Sequence, residues 1–127
     1  MTKNFAYWTD DPAMAQKLVG WTLAGRKLAT VRPKSSWGTP VTAWDDVPYA
    51  VGEDAVLRDL AGTAHLRLRF TDIYETTLAT IPEKLWRGEF EPDADEFRRV
   101  HHIAWDPLGI TGDTPLMAIH FEVLGPA

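Results

Sequence analysis

Gly25-Arg26-Lys27-Leu28-Ala29-Thr30-Val31-Arg32 is the stretch on which the reading of this chain turns, because it sets three cations and a hydroxyl between a helical pattern and a strand pattern. On its N-terminal side, Asp10-Asp11-Pro12 is a helix start: an acidic N-cap, then a proline where its missing N–H costs nothing. Met14, Leu18 and Trp21 follow at spacings of four and three, which puts them on one face of a helix that Gly25 closes. Past Gly25 the pattern becomes Leu28, Thr30 and Arg32 against Ala29 and Val31, the alternation of a half-buried strand. Thr30 and Arg32 then share a face. Lys27, an odd number of residues from Thr30, reaches that face only from a turn ahead of the strand. Arg26 and Lys27 also stand where a helix C-terminus favours cations whatever the protein does.

Working outward, Pro33 to Pro48 carries three prolines, Gly38 and Ser35-Ser36, and reads as one long loop. Long loops in compact domains are functional or disordered more often than idle. Lys34 extends the positive charge of the signature, while Trp37 and Trp44 either anchor the loop by packing or form a lid over a planar ligand. Phe5 to Trp8 is a short first strand or an aromatic arm. Ala55-Val56-Leu57, the Asp59-Leu60-Ala61-Gly62 turn and Thr63 to Ile73 form a hairpin. In its second strand Ala64, Leu66, Leu68 and Phe70 alternate with His65, Arg67 and Arg69, a basic face that is wetted by default and offers phosphate contact as the alternative. Thr80-Ile81-Pro82-Glu83 starts a further helix. The acidic run Glu91 to Glu96 leads into another, Phe97 to Trp105, with Phe97, Val100, Ile103 and Ala104 as its apolar stripe. Pro107 and Gly109 end it, and Pro115 to Leu124 is a closing strand. No repeat, linker or low-complexity segment interrupts the chain.

The 127 residues suit one domain with a single core, and 45% hydrophobic and 24% charged residues are ordinary for a soluble protein. A net charge of −5 with pI about 5.2 argues against a broad footprint on duplex DNA or long RNA, so any nucleic-acid partner must meet a local patch. The chain has no cysteine, which excludes disulfides, thiolate catalysis and cysteine zinc sites. Adjacent His101 and His102 point about a quarter-turn apart on a helix with no third ligand at a sensible spacing, so neither a metal nor another cofactor is expected. Met1-Thr2-Lys3-Asn4-Phe5 is not a signal peptide and no apolar run has membrane-spanning length, so the expected location is cytoplasmic, without a membrane partner.

The octapeptide Gly25 to Arg32 resembles the Gly-x-Lys-x-x-Thr-x-Arg signature of the ASCH family, small β-barrel domains related in architecture to the PUA RNA-binding domains. Val51-Gly52-Glu53-Asp54 before an apolar strand resembles that family's Val-Gly-Asp segment, Phe97-Arg98-Arg99-Val100-His101 its aromatic-x-x-x-His helix, and Pro115 to Val123 its final strand. These run in the family's order over most of the chain. The resemblance implies a single ASCH-like domain over 1–127, with the signature at 25–32 and the long loop at 33–48. Its fold would be α+β: a small, mostly antiparallel barrel flanked by two or three helices, with a pocket between the signature strand, the 33–48 loop and the Phe97–Trp105 helix.

Two kinds of function follow from the resemblance. The first is a pocket for short single-stranded RNA or a small nucleotide or nucleoside. Arg26, Lys27, Arg32 and Lys34 would serve phosphate or a base edge, Trp37 or Trp105 would stack on the base, and His101 and His120 would line the site. The second is an amidohydrolase that removes an acyl group from the exocyclic nitrogen of a cytosine nucleoside, for which the family's lysine, threonine and glutamate map to Lys27, Thr30 and an acid. Threonine is a nucleophile only beside a base, and lysine is a base only when deprotonated. The acid is displaced here: where family members carry Glu-Gly, this chain reads Arg87-Gly88-Glu89, so Glu89 is the best substitute, ahead of Glu91 or Glu83. The family's ribonuclease branch has a tyrosine six positions before the lysine, where this chain has Trp21, which lacks an ionisable hydroxyl. A non-catalytic interaction module is the remaining alternative.

Overall fold

The computed structural model describes residues 2–127. Its strands are β1 Lys3–Phe5, β2 Ala29–Pro33, β3 Asp54–Arg58, β4 Ala64–Thr76 and β5 Leu116–Pro126, and its helices are α1 Pro12–Leu23, α2 Glu83–Gly88 and α3 Ala94–Trp105. The strands form one sheet in the order β1-β3-β4-β5-β2, in which only β1 and β3 run parallel. The α+β class is as expected, but the sheet is open and the barrel is not formed. β1 and β2 stand at opposite edges without pairing, and the end of α2 packs against the start of β2. The Leu28 amide donates to Gly88 O at 2.7 Å, and a Cβ on Gly88 would stand 2.6 Å from the Ala29 Cβ.

The local signals act as their chemistry requires. Asp11 caps α1 by accepting from the Ala13 amide, Pro12 takes the first helical position, and Gly25 ends the helix at φ +74°. Gly62, at φ +89°, closes the β3–β4 hairpin by donating to Asp59 O. Asp93 caps α3 through the Glu96 amide.

Two features differ from the sequence reading. Every residue of β2 is buried, so the strand is covered on both faces rather than half-buried. Ala29 and Val31 pack with Leu85, Phe97, Trp105 and Leu116 in one apolar cluster, while Phe5, Tyr49, Leu57, Phe70 and Phe121 anchor a second. β4, thirteen residues long, serves both because register shifts at Arg67/Leu68 and Phe70/Asp72 let it bend. The stripe of α3 also differs. Ile103 is 66% exposed, and the inward line is Phe97, His101 and Trp105 at spacings of four, with the three rings in contact. A histidine occupies the middle of that line, which an apolar count passes over. Among the described residues no helix is long and apolar enough to cross a membrane.

Candidate functional site

The turn between α1 and β2 brings Lys27 to the foot of β2, and there it folds inward. The residue is 1% exposed; Nζ donates to Ala29 O at 2.8 Å and to Glu89 Oε1 at 2.7 Å, and lies 5.1 Å from the centre of the Tyr7 ring. Two of its three N–H donors are thus engaged. A buried ammonium is tolerable only when paired and hydrogen-bonded, and this one is both. Tyr7 is itself fixed, its hydroxyl 2.5 Å from Thr22 Oγ1 of α1, and burial first, with the Glu89 charge adding to it, holds its phenol far above the ordinary range.

Glu89 owes its position to the way α2 ends. The Phe90 amide bonds Arg87 O and the Glu91 amide bonds Trp86 O, the paired reversal of a Schellman motif, with Glu89 at the C-cap and Phe90 at the left-handed position, φ +62°. Glycine ordinarily fills that position, because a side chain there is strained. Gly88, one residue before the cap, permits the close approach to Ala29. The displaced acid therefore reaches Lys27 from the C-cap, while Arg87 points outward to an exposed pair with Glu83. Glu89 Oε2 is buried, has no hydrogen-bond partner, and faces His101 Nε2 at 3.7 Å.

Lys27, Thr30, Glu89, His101 and Trp105 all line one cavity of about 300 Å³. β2 supplies Thr30 and Val31, and α3 supplies His101 and Trp105. Opposite them α1 supplies Met14, Leu18 and Trp21. That stripe, read from the sequence as one face of α1, is the cavity wall, and the helix buries Ala15, Val19 and Thr22 in the core. The shared face follows from the spacing, and a second line at the same spacing, Ala15, Val19 and Thr22, meets the core. Glu91, the alternative acid, also lines the cavity, with Trp8, Val100 and Ala104, and Lys17 and Thr9, which the sequence reading did not single out, join them.

The other residues named from the sequence lie elsewhere. Arg32, 1% exposed, donates from Nε to Ser36 Oγ at 2.8 Å and from Nη2 to Ser36 O and Thr39 O at 3.1 Å, with Asp45 Oδ2 3.7 Å from Nη1. It ties the 33–48 loop to the sheet. Burial holds its guanidinium below the ordinary value, with Tyr49 and Asp45 opposing that shift. Lys34 makes an exposed pair with Glu75, Trp37 packs edge-on against Tyr49, and Arg26 lies over the exposed Phe90 ring. His120 Nε2 pairs with the Tyr74 hydroxyl at 2.8 Å. The pocket is therefore bounded by α1 and not by the 33–48 loop, from which only Val41 approaches, on the wall of a neighbouring cavity. Trp44 sits against Gly62 and Trp37 against the core, so both loop tryptophans act as anchors. Among the described residues no three His, Asp or Glu side chains are grouped to hold a metal ion.

Comparison with solved structures places this geometry in a known fold. An ASCH domain from Lactobacillus crispatus JV V101 superposes with a TM-score of 0.70 at 19% identity, covering 98% of this chain and 80% of that one. A protein of Enterococcus faecalis V583 described under the family model DUF984 superposes with a TM-score of 0.76 at 17% identity, over 99% of this chain and 78% of the other. An ASCH protein of Zymomonas mobilis, solved as a mutant, aligns over 87% of this chain and 64% of its own with a TM-score of 0.51 at 11% identity. No family model and no curated protein matches the sequence.

Proposed function

We propose, from the ASCH-domain fold this chain adopts, that the cavity binds a small uncharged nucleoside and that Lys27, Thr30 and Glu89 hydrolyse an acyl amide on its base. The observation that carries this reading is the buried Lys27–Glu89 pair at 2.7 Å on the wall of a cavity that Thr30 also lines. A nucleoside suits the lining better than a polyphosphate or an RNA strand. Arg26, Arg32 and Lys34 are outside the cavity, Lys27 is already paired with Glu89, and the charge of Lys17 is balanced by Glu91 on the same lining. Trp21 and Trp105 offer flat faces for a base.

In the reaction, Lys27 passes a proton to Glu89 Oε1 along their hydrogen bond, and its free amine takes the Thr30 hydroxyl proton as Oγ1 attacks the acyl carbon. The bond from that carbon to the exocyclic nitrogen breaks, and protonated Glu89 supplies the leaving nitrogen with its proton. Water then attacks the Thr30 ester as Glu89 takes its proton, Lys27 returns a proton to Thr30 Oγ1 as the acid leaves, and Glu89 passes its proton back to Lys27. The experiment is chromatographic: incubate the protein and its Lys27→Ala variant with N4-acetylcytidine and follow cytidine. Product from the first and none from the folded second supports the reading, and no product from either overturns it.

A further inference from the structure

We infer that His101 shares a proton with Glu89 across the cavity wall and is thereby a positioning residue for the acid; its kinetic consequence rests on the reaction proposed above. The argument begins with the tautomer. His101 Nδ1 lies 2.7 Å from Phe97 O, a carbonyl that can only accept, so Nδ1 carries the hydrogen. In the neutral ring Nε2 then presents a lone pair, and it faces Glu89 Oε2 at 3.7 Å. Two acceptors set face to face form no bond, which is why Oε2 has no partner although it is fully buried.

One proton, with the two side chains drawn from 3.7 Å to hydrogen-bond distance, satisfies both. Carried on Nε2, it makes an imidazolium that donates to the carboxylate; carried on Oε2, it makes a carboxylic acid that donates to the imidazole. The second state is the same carboxylic acid that transfer from Lys27 to Oε1 produces, the form from which Glu89 protonates a leaving nitrogen. The ring is held for this task, stacked on Phe97 with centroids 4.0 Å apart and edge-on to Trp105 at 4.8 Å. The other ionisable groups that face the pair are Lys27 from the α1–β2 turn, Lys17 from α1, Glu91 beyond α2 and the Tyr7 phenol, with the Tyr74–His120 pair of the sheet within range of the Glu89 charge. Of these Lys27 occupies Oε1, which leaves Oε2 to His101.

The test uses His101→Phe, which keeps the ring packing and removes both nitrogens, and His101→Gln, which returns an N–H to face Oε2 but cannot give up its proton. With N4-acetylcytidine as probe, both variants should lose tenfold or more in kcat with KM within about threefold, and the pH dependence of kcat should flatten in both. Wild-type kcat and an unchanged pH profile in His101→Phe would overturn the inference. A readout independent of activity separates its failure from that of the proposed reaction. Ring 15N spectra should show the hydrogen on Nδ1, and the Nε2 resonance should move in Glu89→Gln. Hydrogen on Nε2 instead, or an Nε2 resonance indifferent to Glu89→Gln, overturns the inference even if the protein hydrolyses nothing.

Discussion

Lys27 and Glu89 are 62 residues apart in sequence and meet in a place almost free of solvent, so their cost and their use are linked. Removing either leaves the other as an uncompensated buried charge, and Lys27→Ala or Glu89→Gln should each lower unfolding stability by about 3–5 kcal/mol in urea titrations. The double change Lys27→Met with Glu89→Leu should cost less than either alone, because no charge is stranded. A double variant at the sum of the two losses would show that the pair is not the source of the stability. Thr30→Val keeps the shape of β2, and should retain stability while losing hydrolysis.

His120 makes a separate statement about pH. Burial, with Lys84 adding to it, holds its imidazole below the ordinary value. The unfolded chain, titrating near pH 6.5, therefore takes up the proton first as pH falls. This contribution is complete above about pH 6.5 and is lost as pH drops toward the folded value. Thermal melts should show Tm falling between about pH 7 and 5.5, and the fall should shrink in His120→Gln. The partly buried Asp59, held low by His65, and Asp72, held low by Lys84, act the same way in a lower window, below about pH 4, and should not mask it.

At the level of elements, the last turn of α2 decides where the acid stands. A methyl at Gly88 would meet the Ala29 Cβ at 2.6 Å, with buried β2 behind it and no flexible atom to yield. Gly88→Ala should therefore push α2 off β2, cost about 1–3 kcal/mol and slow the reaction by misplacing Glu89. Phe90 gives a cleaner comparison. Both Phe90→Gly and Phe90→Ala delete the ring, but only glycine is free at φ +62°, so the glycine variant should be the more stable by about 1 kcal/mol in chemical denaturation. Equal stabilities would contradict the left-handed assignment. Arg32 belongs to this scale too. Its four contacts tie the 33–48 loop to β2, so Arg32→Ala should show as lost stability and faster proteolysis within the loop.

Much of this was legible in the chain and some was not, for definable reasons. Capping residues, the turn glycines and the alternation of β4 act locally, so the α1, hairpin and closing-strand readings match the observed elements. Lys27's place in a turn followed from strand parity. Openness of the sheet, burial of β2 on both faces and the turning of the α1 stripe to the cavity depend on what packs against each element, and no local pattern carries that. Arg32 illustrates the limit: beside Lys27 in the signature it reads as a ligand contact, yet a serine four residues on and a loop aspartate hold it inside. Glu89 was named for its nearness to Gly88, and only the Schellman reversal explains how an acid after the glycine still meets the lysine.

For the whole molecule, a chain of net charge −5 has a cavity in which its positive charge is paired or balanced, which is the basis for proposing an uncharged ligand. Affinity for cytidine should then change little between low and high salt, whereas a phosphate-driven site would weaken steeply. The most direct test of the account asks whether Glu89 is the acid. Cytidine release from N4-acetylcytidine would be timed for the wild-type protein, for Glu89→Gln, and for Glu83→Gln, whose carboxylate is exposed and pairs only with Arg87. The account predicts a loss of about a hundredfold or more in Glu89→Gln and a near wild-type rate in Glu83→Gln. A folded Glu89→Gln protein that releases cytidine at the wild-type rate would contradict it.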